Sequence, residues 1–233
     1  MQEPQITAGQ ISIGSAFQFA LDCSLKHFPL LLAVQVTMGL PQIVLATLVP
    51  GIWGTLLAII LQSPLWGGYL TILVALADGQ NPSYGDLFKK VGMFWKFLLL
   101  TICTFTITVV GCVLLIVPGI IAGIHLAFSN VCVATEGLGP IEAMKRSSAL
   151  TKGYRWQLLG IFSVQCVALA LIGGLFIGIP LGIVAGIFHL DSKQLIHLVM
   201  PVLMVPLLIL IGLVLVYCYR QLTIVQGGEV TTV

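Results

Sequence analysis

The chain has 233 residues, of which 58% are apolar and only 8% charged, with a mean hydropathy of +1.11. A soluble domain carries charge on about a quarter of its residues, so this composition excludes that class and indicates an integral membrane protein. A net charge of +2, with bases not interleaved with exposed aromatics, also excludes a nucleic-acid partner.

Residues 1–11 are polar and lack a basic stretch followed by an apolar core, so no cleavable signal peptide is expected and they read as a flexible cytoplasmic N-terminus. Over 12–28, Ile13, Phe17, Ala20, Leu21, Leu25 and Phe28 share one helical face opposite Ser15, Gln18, Asp22 and Lys26. That pattern predicts an amphipathic interfacial helix, with Asp22 and Lys26 as an acid-first i,i+4 pair. A first hairpin follows, with spans over 28–49 and 52–77, a turn at 49–52 and a kink at Gln62-Ser63-Pro64.

Over 83–91 the arrangement recurs. Ser83 and Asp86 have capping-box spacing, Tyr84, Leu87, Phe88 and Val91 make an apolar stripe, and Asp86 with Lys90 is a second i,i+4 pair. Phe94, Trp95 and Lys96 stand as an interface anchor. Spans over 94–117 and 119–135 form the second hairpin, turning at 117–120. A third polar passage starts at Gly139-Pro140, a cap with Pro at the first helical position. There Ile141 and Met144 oppose Glu142, Lys145 and Arg146, and Glu142 with Arg146 is a third acid-to-base pair. Tyr154, Arg155 and Trp156 lead into spans over 156–177 and 195–216.

The predicted fold is an all-α integral membrane protein: six transmembrane helices as three hairpins, each preceded by an amphipathic interfacial helix. It forms one domain over 12–224, with a degenerate threefold repeat near 12–79, 83–139 and 140–224 and a flexible C-terminal tail over 225–233. Nine of the ten Lys and Arg residues fall on one side of this topology and only Lys193 on the other, which predicts cytoplasmic N- and C-termini.

Four groups of residues are candidates for function. Lys89, Lys90, Lys96, Lys145, Arg146, Lys152 and Arg155 form a basic ring for anionic headgroups or, alternatively, only fix topology. His125, Asn130 and Gln165 are a possible intramembrane polar site, against the plainer reading that they and Gln35, Gln42 and Gln62 hydrogen-bond between helices. Gly174, Gly178, Gly182 and Gly186 have the four-residue spacing of close helix packing or, with Pro180 interrupting the run, mark a loosened glycine-rich turn. The six dispersed cysteines show no metal-ligand spacing and read as small buried hydrophobes. No nucleophile–base pair, paired carboxylates or metal motif points to an enzyme, and no cofactor is expected.

The passage EGLGPIEAMKRSSALTKGYRWQLLGIF, preceded by VPGIIAGIHLAFSNVCVA, resembles a bacterial family of six-span membrane proteins. The family includes the membrane domain attached to some glycerophosphodiester phosphodiesterases and many stand-alone, poorly characterised inner-membrane proteins. The matching elements are Pro118-Gly119, Glu136-Gly137, Lys145-Arg146-Ser147, Thr151-Lys152-Gly153, and Tyr154 with Trp156. The resemblance implies the fold and a bacterial cytoplasmic-membrane location, and carries no catalytic residues, because too few polar residues follow the last span to form the soluble phosphodiesterase domain. The expected function is a non-enzymatic inner-membrane protein that organises lipids or partner proteins, itself or as a homo-oligomer. The alternatives are a transporter, or transporter subunit, for a small amphiphile and an accessory module for a lipid-headgroup phosphodiesterase.

Overall fold

Continuous apolar runs in a bilayer must satisfy their backbone groups within each segment, which makes helix the default element. The computed structural model describes residues 13–49, 51–114, 116–171, 174, 179–180, 183 and 205–230. It contains nine α-helices among the described residues, and no strand. They are α1 (Ile13–Lys26), α2 (Phe28–Leu48), α3 (Ile52–Ala77), α4 (Phe94–Leu114), α5 (Ile116–Leu126), α6 (Ser129–Glu136), α7 (Pro140–Thr151), α8 (Arg155–Leu171) and α9 (Val205–Val230).

Among the described residues, four apolar runs are long enough to cross a bilayer: Phe28–Leu45, Tyr84–Gly111, Gly119–Glu136 and Pro206–Val225. Two bent pairs raise the number to six if each is one span: Leu56–Ser63 with Leu65–Ala77, at 47°, and α7 with α8, at 100°. The first bend falls at the predicted Gln62-Ser63-Pro64 kink, where a proline removes one helical hydrogen bond.

Helix α1 continues almost directly into α2 through His27, whose N–H donates to the Cys23 carbonyl at 3.1 Å. It packs against α9, with Ala16 and Ala20 fully buried and the Phe19 ring 5.2 Å from that of Tyr217. Of the expected apolar face, Ala20 packs inward, while Leu21 and Leu25 are 46% and 74% exposed. Small residues let helix backbones approach closely, so the alanine edge faces protein and the leucines do not.

The α2–α3 turn lies where the sequence puts it, with Gly51 in the left-handed region at φ 93°. On α3, a Cβ added at Gly68 would lie 1.8 Å from the carbonyl oxygen of Leu87. That contact explains a departure from expectation. Residues 83–91 do not form an amphipathic α-helix but 3₁₀ turns, Tyr84–Phe88 and Val91–Met93, the first seated on the Gly68 notch. Only Leu87 of the predicted stripe is buried, while Tyr84, Phe88 and Val91 stay 40–48% exposed. The capping box does form, the Ser83 N–H donating to Asp86 Oδ2 at 2.8 Å.

Helix α4 ends at Leu114 and α5 already begins at Ile116, earlier than the predicted turn at 117–120, and Pro118 is the third residue of α5. In a first turn the missing proline N–H would have had no intrahelical partner. The Pro-Gly pair therefore opens a helix here and does not turn the chain. The run predicted as a single span over 119–135 stays one candidate span, Gly119–Glu136, but its helix is interrupted at Ala127 and Phe128 and divides into α5 and α6.

Gly137, at φ 68°, ends α6, and Gly153, at φ 94°, makes the elbow between α7 and α8. The three polar introductions to the hairpins thus differ in form: an α-helix joined to the span by a single residue, two 3₁₀ turns, and a helix set at 100° to the next. Helix α9 runs on to Val230, through residues that the sequence alone gives to the tail. The core is built on α3 and α9, with Tyr69, Leu73, Leu213 and Val216 buried. At their crossing a Cβ on Gly212 would meet Leu73 and the Tyr69 hydroxyl at 2.6 Å.

Candidate functional site: the charged end of the bundle

Asp78 caps the C-terminus of α3 and Glu136 ends α6, and successive residues of α9 reach both. The Tyr219 hydroxyl lies 2.9 Å from Glu136 Oε1, to which it donates, and 3.1 Å from Thr135 Oγ1. The Arg220 guanidinium pairs with Asp78. From α7, Arg146 Nε reaches Glu136 Oε1 at 3.5 Å, and from α4, Lys96 Nζ donates to the Gly137 carbonyl at 2.7 Å. The ends of α3, α4, α6, α7 and α9 are therefore tied together at one end of the bundle.

None of the three i,i+4 ion pairs expected from sequence forms among the described residues, where the ion pairs are Lys89–Asp86, Arg146–Glu136 and Arg220–Asp78. Asp86 sits in a 3₁₀ turn, whose three residues per turn put position i+3 on its face, so Lys89 replaces Lys90. Glu142 is at the third position of α7, and its Oε2 accepts the Gly139 N–H at 3.2 Å, leaving Arg146 to reach back to Glu136. Asp22 and Lys26 are both exposed, where an ion pair gains little over water.

The predicted basic ring is accordingly not uniform. Lys89, Lys96 and Arg146 are engaged within the protein. Lys90 is half-buried between the 3₁₀ turns, whereas Lys145, Lys152 and Arg155 are exposed and have no ion-pair partner among the described residues. Beside them Trp156 is 85% exposed, and Trp95 on α4 is 68% exposed.

The break between α5 and α6 leaves backbone groups unpaired in an apolar setting, and Ser147 of α7 serves them. Its hydroxyl donates to the His125 carbonyl at 2.7 Å and accepts the Phe128 N–H at 3.1 Å, with the side chain fully buried. Next to it, His125 Nδ1 lies 2.9 Å from Ser148 Oγ. The candidate trio is not joined by hydrogen bonds: His125 pairs with Ser148, Asn130 bonds to neither of the others, and the buried Gln165 Nε2 has no partner. Ser129 Oγ and Thr104 Oγ1 are likewise buried and unpaired.

Other intramembrane polar groups link helices. Gln35 Nε2 donates to the Tyr69 hydroxyl at 3.2 Å, which in turn donates to the Leu208 carbonyl at 3.4 Å, and Gln62 Nε2 donates to the Met38 carbonyl at 2.8 Å and the Gln42 amide at 3.5 Å. Of the glycine run, Gly174 has nothing within 4 Å of an added Cβ, and Gly178, Gly182 and Gly186 lie outside the described residues. Cys23, Cys103, Cys132, Cys166 and Cys218 are free. On α1, burial outweighs the nearby Lys26 charge and pushes the Cys23 thiol up, so it stays protonated.

Sequence reasoning missed Asp78, Ser147 and Tyr219. Tyrosines counted as apolar inside long runs hide their hydroxyls, although a buried tyrosine hydroxyl needs a partner.

Residues 90–222 match the family model described as a Domain of unknown function (DUF7847), more than half of the 233-residue chain. The chain is similar to the UPF0259 membrane protein of Pectobacterium carotovorum subsp. carotovorum, 33% identical over 105 residues, which are 43% of this chain and 40% of that protein. It is also similar to the UPF0259 membrane protein of Photorhabdus laumondii subsp. laumondii, 37% identical over 100 residues, 40% of this chain and 38% of the relative. The matched stretch thus spans about two fifths of these curated relatives. No solved structure matches the chain. With an all-α membrane fold and a family match across α4 to α9, the chain belongs to the DUF7847 family, and its curated relatives are bacterial membrane proteins.

Proposed function

We propose that this protein is a non-enzymatic scaffold of the bacterial cytoplasmic membrane, with both termini cytoplasmic, that organises lipids or partner proteins at the cytoplasmic headgroups. The observation that carries this reading is the 100° angle between α7 and α8. With α8 taken as a spanning helix, α7 at 100° to it lies near the membrane plane, Ser147 and Arg146 holding it on α5 and α6 and Glu142 capping its first turn. The ion pairs gathered at that same end support a cytoplasmic assignment, because bases concentrate on the inner face. Extraction of the full chain into native nanodiscs, with identification of co-isolated lipids and proteins, tests the reading. Enrichment of anionic lipid or of a recurrent partner is expected, and the absence of both sinks the proposal.

A second reading, a transporter or transporter subunit for a small amphiphile, is favoured by the broken span at Ala127 and Phe128 with Ser129 Oγ and Gln165 Nε2 buried and unpaired. Discontinuous spans in transporters place helix ends at the substrate. Ser129→Ala and Gln165→Leu separate the readings. Unchanged or raised stability without loss of any transported solute favours the scaffold, and loss of flux at unchanged stability favours transport. The resemblance to domains fused to phosphodiesterases motivates a third role as an accessory module, for which co-purifying hydrolase activity is the check.

A further inference from the structure

The bases at the charged end fall into two sets. Lys89, Arg146 and Arg220 each face an acid, and Lys96 is held on a carbonyl. Lys145, Lys152 and Arg155 have no acid among the described residues, and they share one feature of the fold, the elbow formed by α7, Gly153 and the first turn of α8. The acid on that elbow, Glu142, is held at the Gly139 N–H. With Arg146 balanced by Glu136, three bases against one acid leave two positive charges uncompensated.

The surface around these bases is apolar. Ile141 on α7 is 67% exposed and Trp156 on α8 is 85% exposed, and an indole is most stable at the headgroup level, between hydrocarbon and water. Arg155 adds a planar fork that fits phosphate oxygens, and the two lysines add mobile point charges.

We propose that the α7–α8 elbow is a seat for a lipid headgroup carrying two negative charges, preferred over singly charged headgroups. The proposal rests on the reading of α7 as an interfacial helix. Charge complementarity selects the occupant: two excess positive charges match a dianionic headgroup, and Ile141 and Trp156 provide cover for its acyl region. Lys89 is a built-in comparison, a lysine on the same side of the bundle that is already paired with Asp86.

The test uses the full chain in phosphatidylcholine nanodiscs containing a minority of either phosphatidate, which is dianionic, or phosphatidylglycerol, which is monoanionic. Lipid retained on the protein is counted by native mass spectrometry. One additional charge contact predicts about five-fold more retained phosphatidate than phosphatidylglycerol. The combined Lys145→Gln, Lys152→Gln and Arg155→Gln variant is expected to lose that preference, and Lys89→Gln to keep it. Should the triple variant fail to fold, Arg155→Gln alone carries the test, with partial loss expected. Equal retention of the two lipids by the native chain, or a preference that survives the substitutions, overturns the elbow assignment and leaves the scaffold reading standing. Retention of neither lipid, together with no partner in native nanodiscs, overturns both.

Discussion

Tyr219 donates its hydroxyl proton to Glu136 at 2.9 Å, and the next residue, Arg220, pairs with Asp78, so one turn of α9 joins the ends of α6 and α3. A hydrogen bond to a charged acceptor contributes about 1.5–3 kcal/mol, and the half-exposed Glu136 places this one at the low end. Tyr219→Phe is therefore expected to lower stability by about 1–2 kcal/mol. Glu136→Gln in the same background should add less than it does alone, because the two side chains share one interaction. A double-mutant cycle in detergent unfolding checks this, and additive losses would show that the pair is not coupled.

Among the described glycines, Gly68 has the least room for a side chain. A methyl group there would stand 1.8 Å from the Leu87 carbonyl oxygen, a backbone atom that moves only with the whole 3₁₀ turn. Gly68→Ala should cost more than about 3 kcal/mol or abolish folding. Gly160→Ala is the matched comparison, because nothing lies within 4 Å of an added Cβ on α8. There the better helix propensity of alanine should stabilise by up to about 1 kcal/mol. Comparable thermal stability of the two variants would contradict the packing of residues 84–88 on α3.

Ser147 satisfies two backbone groups with one hydroxyl, so Ser147→Ala leaves the His125 carbonyl and the Phe128 N–H buried without partners. Each of the two unsatisfied groups costs about 1–3 kcal/mol, which predicts a loss of roughly 2–6 kcal/mol. Native-state hydrogen exchange should show the Phe128 amide losing protection ahead of the rest of α6. Uniform protection across α5 and α6 in the variant would mean that the break can close into a continuous helix.

The membrane class, the α2–α3 turn, the Ser83–Asp86 capping box and the helix start at Gly139-Pro140 were legible in the sequence because each depends on local composition or on spacings within four residues. Residues 83–91 were misread because the stripe of Tyr84, Leu87, Phe88 and Val91 fits an α-helix, while the deciding feature, Gly68, lies on another helix. The ion pairs were misassigned for a related reason. Spacing names the partners a helix offers, but Glu142 had a nearer donor in Gly139, and Arg146 found Glu136 across the turn that Gly137 makes. Tyr219 and Asp78 are far apart in sequence from their partners, so no pattern within either segment points to them. The Lys-Arg-Ser and Thr-Lys-Gly elements of the resemblance prove in part structural: Ser147 closes the helix break and Gly153 turns the elbow.

Orientation follows from the placement of charge. The 26 residues of α3 span about 39 Å at 1.5 Å per residue, more than the roughly 30 Å hydrocarbon core, so the 47° bend still leaves enough length to cross. Its start, capped by Gly51, is free of charge, and its C-cap Asp78 joins the ion-paired cluster, so the proposed orientation predicts Val49 and Gly51 at the outer face and residues 78–83 in the cytoplasm. In a background without native cysteines, Val49→Cys is expected to react with a membrane-impermeant maleimide in intact cells. Gln80→Cys should react only after the membrane is opened. Labelling in the reverse order inverts the topology, whereas labelling of both from one side means that α2 and α3 dip into the bilayer and return, leaving the α7 plane without its fixed reference.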